Sequence, residues 1–202
     1  MGWGCIHHGQ IGGNAGNLVD SPTEVMSEVK AVAAGGEHTL ALTRRCVVLA
    51  LGRNTEGQLG CEPQVEHKKA VRALSEAAVI AAGRYHSLAL IKKGEAWRWG
   101  CNDQGQIGGK GEDIRCRATK ICSEVRAVAA GEKSSLALTK QGEIWTWGLD
   151  SEYTDGLPTK RNIPILVEGP GMSLLPLAFQ PGGGRMINDE ELQSIIRMKM
   201  KK

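Results

Sequence analysis

Gly4, Gly52, Gly100 and Gly148 stand 48 residues apart, and Gly12, Gly60, Gly108 and Gly156 keep the same stride. The second set closes GQIG, GQLG, GQIG and the altered YTDG. Another block returns in register: AAGGEHTLALT from Ala33, AAGRYHSLALI from Ala81 and AAGEKSSLALT from Ala129. A constant stride this long means one supersecondary unit repeated, each copy burying its apolar face on its neighbours. No other feature restricts the fold as much.

Within a unit, apolar or alternating runs of about five residues are punctuated by glycine, which predicts short strands rather than helices. In the third unit VRAVAA, SLALT and EIWTWG read as successive strands, with Lys140, Gln141 and Gly142 turning between the last two. Lys92, Lys93 and Gly94 match that turn. Arg44, Arg45 and Cys46 lack the glycine, so the first hairpin is expected to carry strain or adopt another turn type. A fourth, weaker strand follows each GQxG loop. About four strands per unit predict an all-β chain, a propeller-like stack of four-stranded blades. The alanine pairs at 33–34, 81–82 and 129–130 suit inner strands crowded near an axis. Trp97, Trp99, Trp145 and Trp147 suit the wider space between blades.

The units run as a partial copy over 1–12 and complete copies over 13–60, 61–108 and 109–156. One more strand is expected over 163–167, a linker over 169–187 and a short basic helix or tail over 188–202. Asn188 and Glu191 offer a capping box there, with Arg197, Lys199, Lys201 and Lys202 at the far end.

Composition excludes little. The chain holds 25 Lys and Arg against 22 Asp and Glu, a net charge of +3, below the strongly basic balance of a dedicated nucleic-acid binder. No apolar run is long enough to span a bilayer. The six cysteines form no CxxC pair and read as free thiols. The expected setting is the cytoplasm or nucleus, with no membrane partner.

Catalytic patterns are absent: no Ser/His/Asp arrangement and no carboxylate pair stands out, so no catalytic residue, metal or cofactor is assigned. Cys5, His7 and His8 cluster in sequence, but a closed zinc site needs four ligands. GGKG at 108–111 and GEKSS at 131–135 lack the order of a phosphate loop. His38 and His86 are replaced by Ser134 in the third unit, which favours a structural hydrogen-bonding role. The positions that vary inside a fixed frame are Gly36-Glu37, Arg84-Tyr85 and Glu132-Lys133. Such loop tips are where partners bind, and Glu37, Arg84, Tyr85, Glu132 and Lys133 are the candidate contacts, with Arg84 and Tyr85 foremost.

These residues resemble the repeat of the regulator of chromosome condensation, approximately V-A-A-G-x-x-H-S/T-L-A-L-T followed by G-x-V-W-x-W-G-x-N-x-x-G-Q-L-G. Gly35, Gly83, Gly131, Gly52, Gly100, Gly148, Trp99 and Trp147 are its structural positions. The resemblance implies a seven-bladed β-propeller, relative to which this chain is incomplete. An open fan, assembly through open blade edges and a fragment of a longer product without independent activity are the three readings. The family also implies guanine-nucleotide exchange on a small GTPase such as Ran and association with chromatin. Even 48-residue spacing leaves no inserted wedge for exchange, so a protein-interaction module is the leading expectation and exchange the alternative. Light reception would need Trp where Glu37, Tyr85 and Lys133 stand.

Overall fold

The computed structural model describes residues 1–12, 18–109, 113–150 and 159–168, which contain strands and no helix. None of the described residues therefore forms a helix long and apolar enough to cross a membrane. β1 (Gly2–Cys5) and β2 (Leu18–Thr23) form a two-stranded sheet. Blade I follows as β3 (Val29–Ala34), β4 (His38–Thr43), β5 (Val48–Asn54) and β6 (Gln64–Leu74). Blade II is β7 (Ala77–Ala82), β8 (His86–Ile91), β9 (Ala96–Cys101) and β10 (Ile114–Cys122). Blade III is β11 (Val125–Ala130), β12 (Ser134–Thr139), β13 (Ile144–Asp150) and β14 (Thr159–Glu168). Each blade is an antiparallel sheet in chain order. Residues 163–167 lie within β14, whereas the linker expected over 169–187 and the short basic helix or tail expected over 188–202 fall outside the described residues.

The stride now has a spatial meaning. β3, β7 and β11 are adjacent, β3 and β4 lie against β7, and β7 and β8 lie against β11. Those inner strands carry the alanines, and Ala81, Ala82, Ala129 and Ala130 are fully or almost fully buried. Ser75 and Glu76 link β6 to β7, and the equivalent link before β11 is Ser123 and Glu124. Glu76 and Glu124 take the left-handed conformation (φ 61° and 57°), and Glu28 does the same before β3 (φ 57°). Their carbonyls accept Arg44, Lys92 and Lys140 N–H at the hairpin tips, at 2.7–3.1 Å. Side chain alternation then sends Trp99 toward blade I and Trp147 toward blade II. Trp99 packs with Leu40, Leu42, Ala50 and Leu59, and Trp147 with Leu88, Leu90 and Ala137. Trp97 and Trp145 are half-buried.

The face of blade I turned toward β1 is less covered. Val32 is 64 % exposed, whereas its counterparts Ile80 and Val128 are 0 % and 2 % exposed. A cleft of about 640 Å³ lies here, with Trp3, Ile11, Val25, Val32 and Leu51 in its walls.

The hairpin without glycine keeps the geometry of the other two. Cys46 N–H donates to Thr43 O at 2.9 Å, as Gly94 does to Ile91 O, and Cys46 adopts φ 62° beside 80° at Gly94 and 88° at Gly142. The expected strain is present and the turn type is retained. Left-handed backbone costs a side-chain-bearing residue about 1–2 kcal/mol, and glycine gives back about 0.5–1 in unfolded-state entropy. Cys46→Gly is therefore expected to stabilise the fold by about 0.5–1 kcal/mol, read as a higher urea midpoint at unchanged m-value. Gly94→Ala is expected to move the midpoint the other way.

Candidate interaction surface

Two sets of glycines hold the loops 35–37, 83–85 and 131–133 to the frame. A Cβ on Gly35 would meet His38 Cε1 at 2.3 Å and Gly83 O at 2.7 Å; one on Gly83 would meet His86 Cε1 at 2.1 Å and Gly131 O at 2.6 Å. Gly52, Gly100 and Gly148, at φ 114°, 103° and 108°, pass so close to Glu37, Tyr85 and Lys133 that a Cβ would lie 2.4–2.6 Å from their carbonyl oxygens. Those carbonyls accept Arg53, Cys101 and Leu149 N–H, each at 2.9 Å. Neighbouring loops also bond to each other: Gly36 N–H donates to Arg84 O at 3.2 Å and Arg84 N–H to Glu132 O at 3.1 Å. The five residues singled out from the sequence thus lie along one edge of three consecutive blades.

Their side chains interlock across blades. Glu37 accepts Arg53 Nη1 at 2.6 Å, with His8 Nε2 at 3.6 Å. Arg84 Nη1 donates to Glu132 Oε1 at 2.5 Å. Both cations lie over the Tyr85 ring, Arg53 Cζ and Arg84 Cζ each 5.2 Å from its centroid, a double cation–π contact. The Glu37 hydrogen bond leads in holding Arg53 above its ordinary range, and that of Glu132 leads for Arg84. Lys133 adds positive charge near Asp103. Burial works against the Asp103 carboxylate, but hydrogen bonds from Gln106, Cys101 and Gln104, together with Lys133, keep it below its usual range. Arg53 was not among the residues singled out from the sequence, and His8 was considered there only as one of a Cys5, His7, His8 cluster. Arg53 follows Gly52 where Cys101 and Leu149 follow the later glycines, and that departure is the signal that marks it.

Behind this surface the histidines join the blades. Ser87 Oγ donates to Gln58 O at 2.8 Å, so the 3.0 Å contact with His38 Nε2 is a donation from the ring to Ser87. The proton is therefore on Nε2, and burial keeps the His38 ring neutral. His86, Ser135 and Gln106 repeat the relay at 3.0 and 2.6 Å. Trp99 Nε1 adds a second donor to Gln58 O at 2.9 Å. Burial, with the nearby His86, lowers His38 to about 3, and burial lowers His86 to about 4.

The folded state consequently binds fewer protons than the unfolded chain below the ordinary histidine value near 6.5. Stability from these rings is complete above that pH and falls as pH drops toward 4 and then 3, by ~1.4 kcal/mol per pH unit for each ring. Urea midpoints at pH 7.5 and 5.0 measure it. His38→Gln is expected to be less stable at pH 7.5 and to lose about half of the wild-type drop between the two pH values.

Residues 2–42 and 47–90 match the family described as Regulator of chromosome condensation (RCC1) repeat. Residues 78–106 and 125–153 match a second family of the same description. Over 71 residues, 32 % of this chain and 16 % of the relative, the sequence is 44 % identical to the Ultraviolet-B receptor UVR8 of Arabidopsis thaliana. Human WBSCR16 superposes with a TM-score of 0.72 at 27 % identity, over 82 % of this chain and 48 % of that one. Yeast RCC1 (Prp20), in a structure with Kap60, gives 0.69 at 21 % identity over 98 % of this chain and 52 % of that one. The chain spans about half the length of these solved structures. Repeat stride, interblade relay and matched segments agree: the chain belongs to the regulator of chromosome condensation repeat family and folds as part of a β-propeller.

Proposed function

We propose that the chain is a protein-interaction module whose contact surface is the edge carrying Glu37, Arg53, Arg84, Tyr85, Glu132 and Lys133. The observation that supports this reading is Tyr85 in contact with two arginines, each pinned by a carboxylate. Arginine and tyrosine on a rigid frame bind with little loss of side-chain entropy, and alternating charge suits a protein surface of complementary pattern. A net charge of +3 spread over both signs favours such a partner over chromatin DNA.

Within that reading a small GTPase is the partner class to test first. The family resemblance points to it, and the Saccharomyces cerevisiae structure of Prp20p is described together with binding to Gsp1p and histones. Tyr85→Ala with Arg84→Ala is expected to weaken partner capture at least tenfold without lowering the melting temperature by more than a few degrees. Release of labelled nucleotide from a panel of small GTPases, at micromolar chain, reads the narrower claim. Acceleration lost in the double variant supports exchange. No acceleration removes exchange, and unchanged capture of every partner removes the surface.

A second reading is self-association through the cleft beside β1, supported by the exposure of Val32 and of Trp3, which is 63 % exposed. Light scattering is expected to show dimers or larger species that Val32→Asp reduces to monomer. A stable wild-type monomer at high concentration would rule this out.

A further inference from the structure

Arg98 sits between Trp97 and Trp99 on β9, and alternation turns it away from blade I toward blade III. Its residue is only 7 % exposed, yet Nε and Nη1 are buried with no hydrogen-bond partner. Ala50 and Thr146 occupy the equivalent positions, so the repeat itself does not require a cation here. Arg115 on β10 pairs with Gly100 and so shares the face of Arg98, and its Nε is also buried and unpartnered. The two guanidinium groups repel each other: burial first, then the Arg115 charge, pushes Arg98 down to about 10.

A third donor comes from blade III. Trp147 Nε1 is buried without a partner, whereas the equivalent Trp99 Nε1 reaches Gln58 O. Trp147 and Arg98 meet at the GQIGG loop. A Cβ built on Gly108 would lie 3.1 Å from Arg98 Nη1 and 3.3 Å from Trp147 Cδ1, the atom bonded to Nε1, and one on Gly109 would lie 3.0 Å from Arg98 Nη2. Glycine backbone therefore forms that wall, at φ 67° and 81°.

The three side chains that meet here, Arg98, Arg115 and Trp147, all donate. Among the described residues neither guanidinium is in an ion pair, and arginine does not shed its charge in a protein. A buried unpaired charge costs several kcal/mol, and a second like charge beside it adds to that. An acceptor carrying negative charge resolves all four orphaned donors together, and arginine forks suit a tetrahedral oxyanion. We propose that Arg98, Arg115 and Trp147 form an oxyanion site between blades II and III, which takes a phosphate-sized dianion.

The test is titration of the full chain with inorganic phosphate, followed by calorimetry and Trp fluorescence, against chloride at equal ionic strength. Phenyl phosphate in a parallel titration distinguishes a phosphoryl group on a larger molecule from the free ion. Saturable binding of either is expected, with a matching rise in melting temperature. Arg98→Met removes a buried charge for a chain of similar length, a change such sites tolerate, and is expected to weaken binding at least tenfold. Trp147→Phe removes the N–H together with part of the buried ring, at some cost in stability, and is expected to weaken binding several-fold; Arg115→Met, at a half-buried side chain, is expected to weaken it likewise and preserves the test if either core variant fails to fold. Arg117→Met, at a side chain 82 % exposed, is expected to change nothing. Absence of saturable binding of both ligands, or equal binding by wild type, Arg98→Met and Trp147→Phe, would overturn the site.

Discussion

The neutral imidazole that crosses each blade interface is the interaction on which the rest depends. His38 has one proton to give and Ser87 has one, so the order ring, hydroxyl, Gln58 carbonyl is the arrangement that leaves both donors satisfied. The ring occupies the space where a Cβ of Gly35 would lie, and Gly83 O closes the same space from the next blade. The motif A-A-G-x-x-H-S is thus a single physical unit rather than a set of separate preferences. Alanine permits close inner strands, glycine makes room for the ring, and histidine reaches the neighbouring serine. Gln58 and Gln106 offer their backbone carbonyls to the relay while their side chains accept the Glu56 and Gln104 N–H groups, so the GQxG loop keeps its path while its flanking residues change.

That unit also explains the order of the surface. Once Gly52 and Gly100 press against the carbonyls of Glu37 and Tyr85, the loop tips have fixed spacing and direction. The side chains on them vary without cost to the frame. Glu37, Tyr85 and Lys133 are chemically unrelated residues on one repeated backbone position, and neighbouring side chains such as Arg53 and Arg84 convert that variation into a connected patch.

Architecture was legible in the sequence because glycine and alanine carry a backbone meaning that survives divergence. The stride, the strand sequence, the inner alanines and the packing of Trp99 and Trp147 between blades follow from it. The left-handed Glu28, Glu76 and Glu124 were not legible, since glutamate has no intrinsic preference for that conformation. Each is held there by an N–H from a hairpin tip far away in sequence. The long fourth strands were faint because register shifts in β6, β10 and β14 break the alternation that marks a strand. The edge position of Glu37, Arg84, Tyr85, Glu132 and Lys133 was readable from their place in the repeat. The contact of Arg53 with Tyr85 was not, because it joins β5 of one blade to a loop of the next.

Positions between blades obey a different rule from those on the edge. Ala50 is fully buried there, and Thr146 uses its hydroxyl to reach Ser135 O at 3.1 Å. Arg98 takes the same place with a charge that the repeat provides no partner for. The His–Ser relay and the inner alanines set the spacing along the whole interface, so the blades do not open around a single residue. A counter-charge brought to such a position would offset the cost of its unmatched cation. The glycine wall and the idle Trp147 N–H converge on the same small volume, so the departure from the repeat is local chemistry built on an otherwise unchanged scaffold.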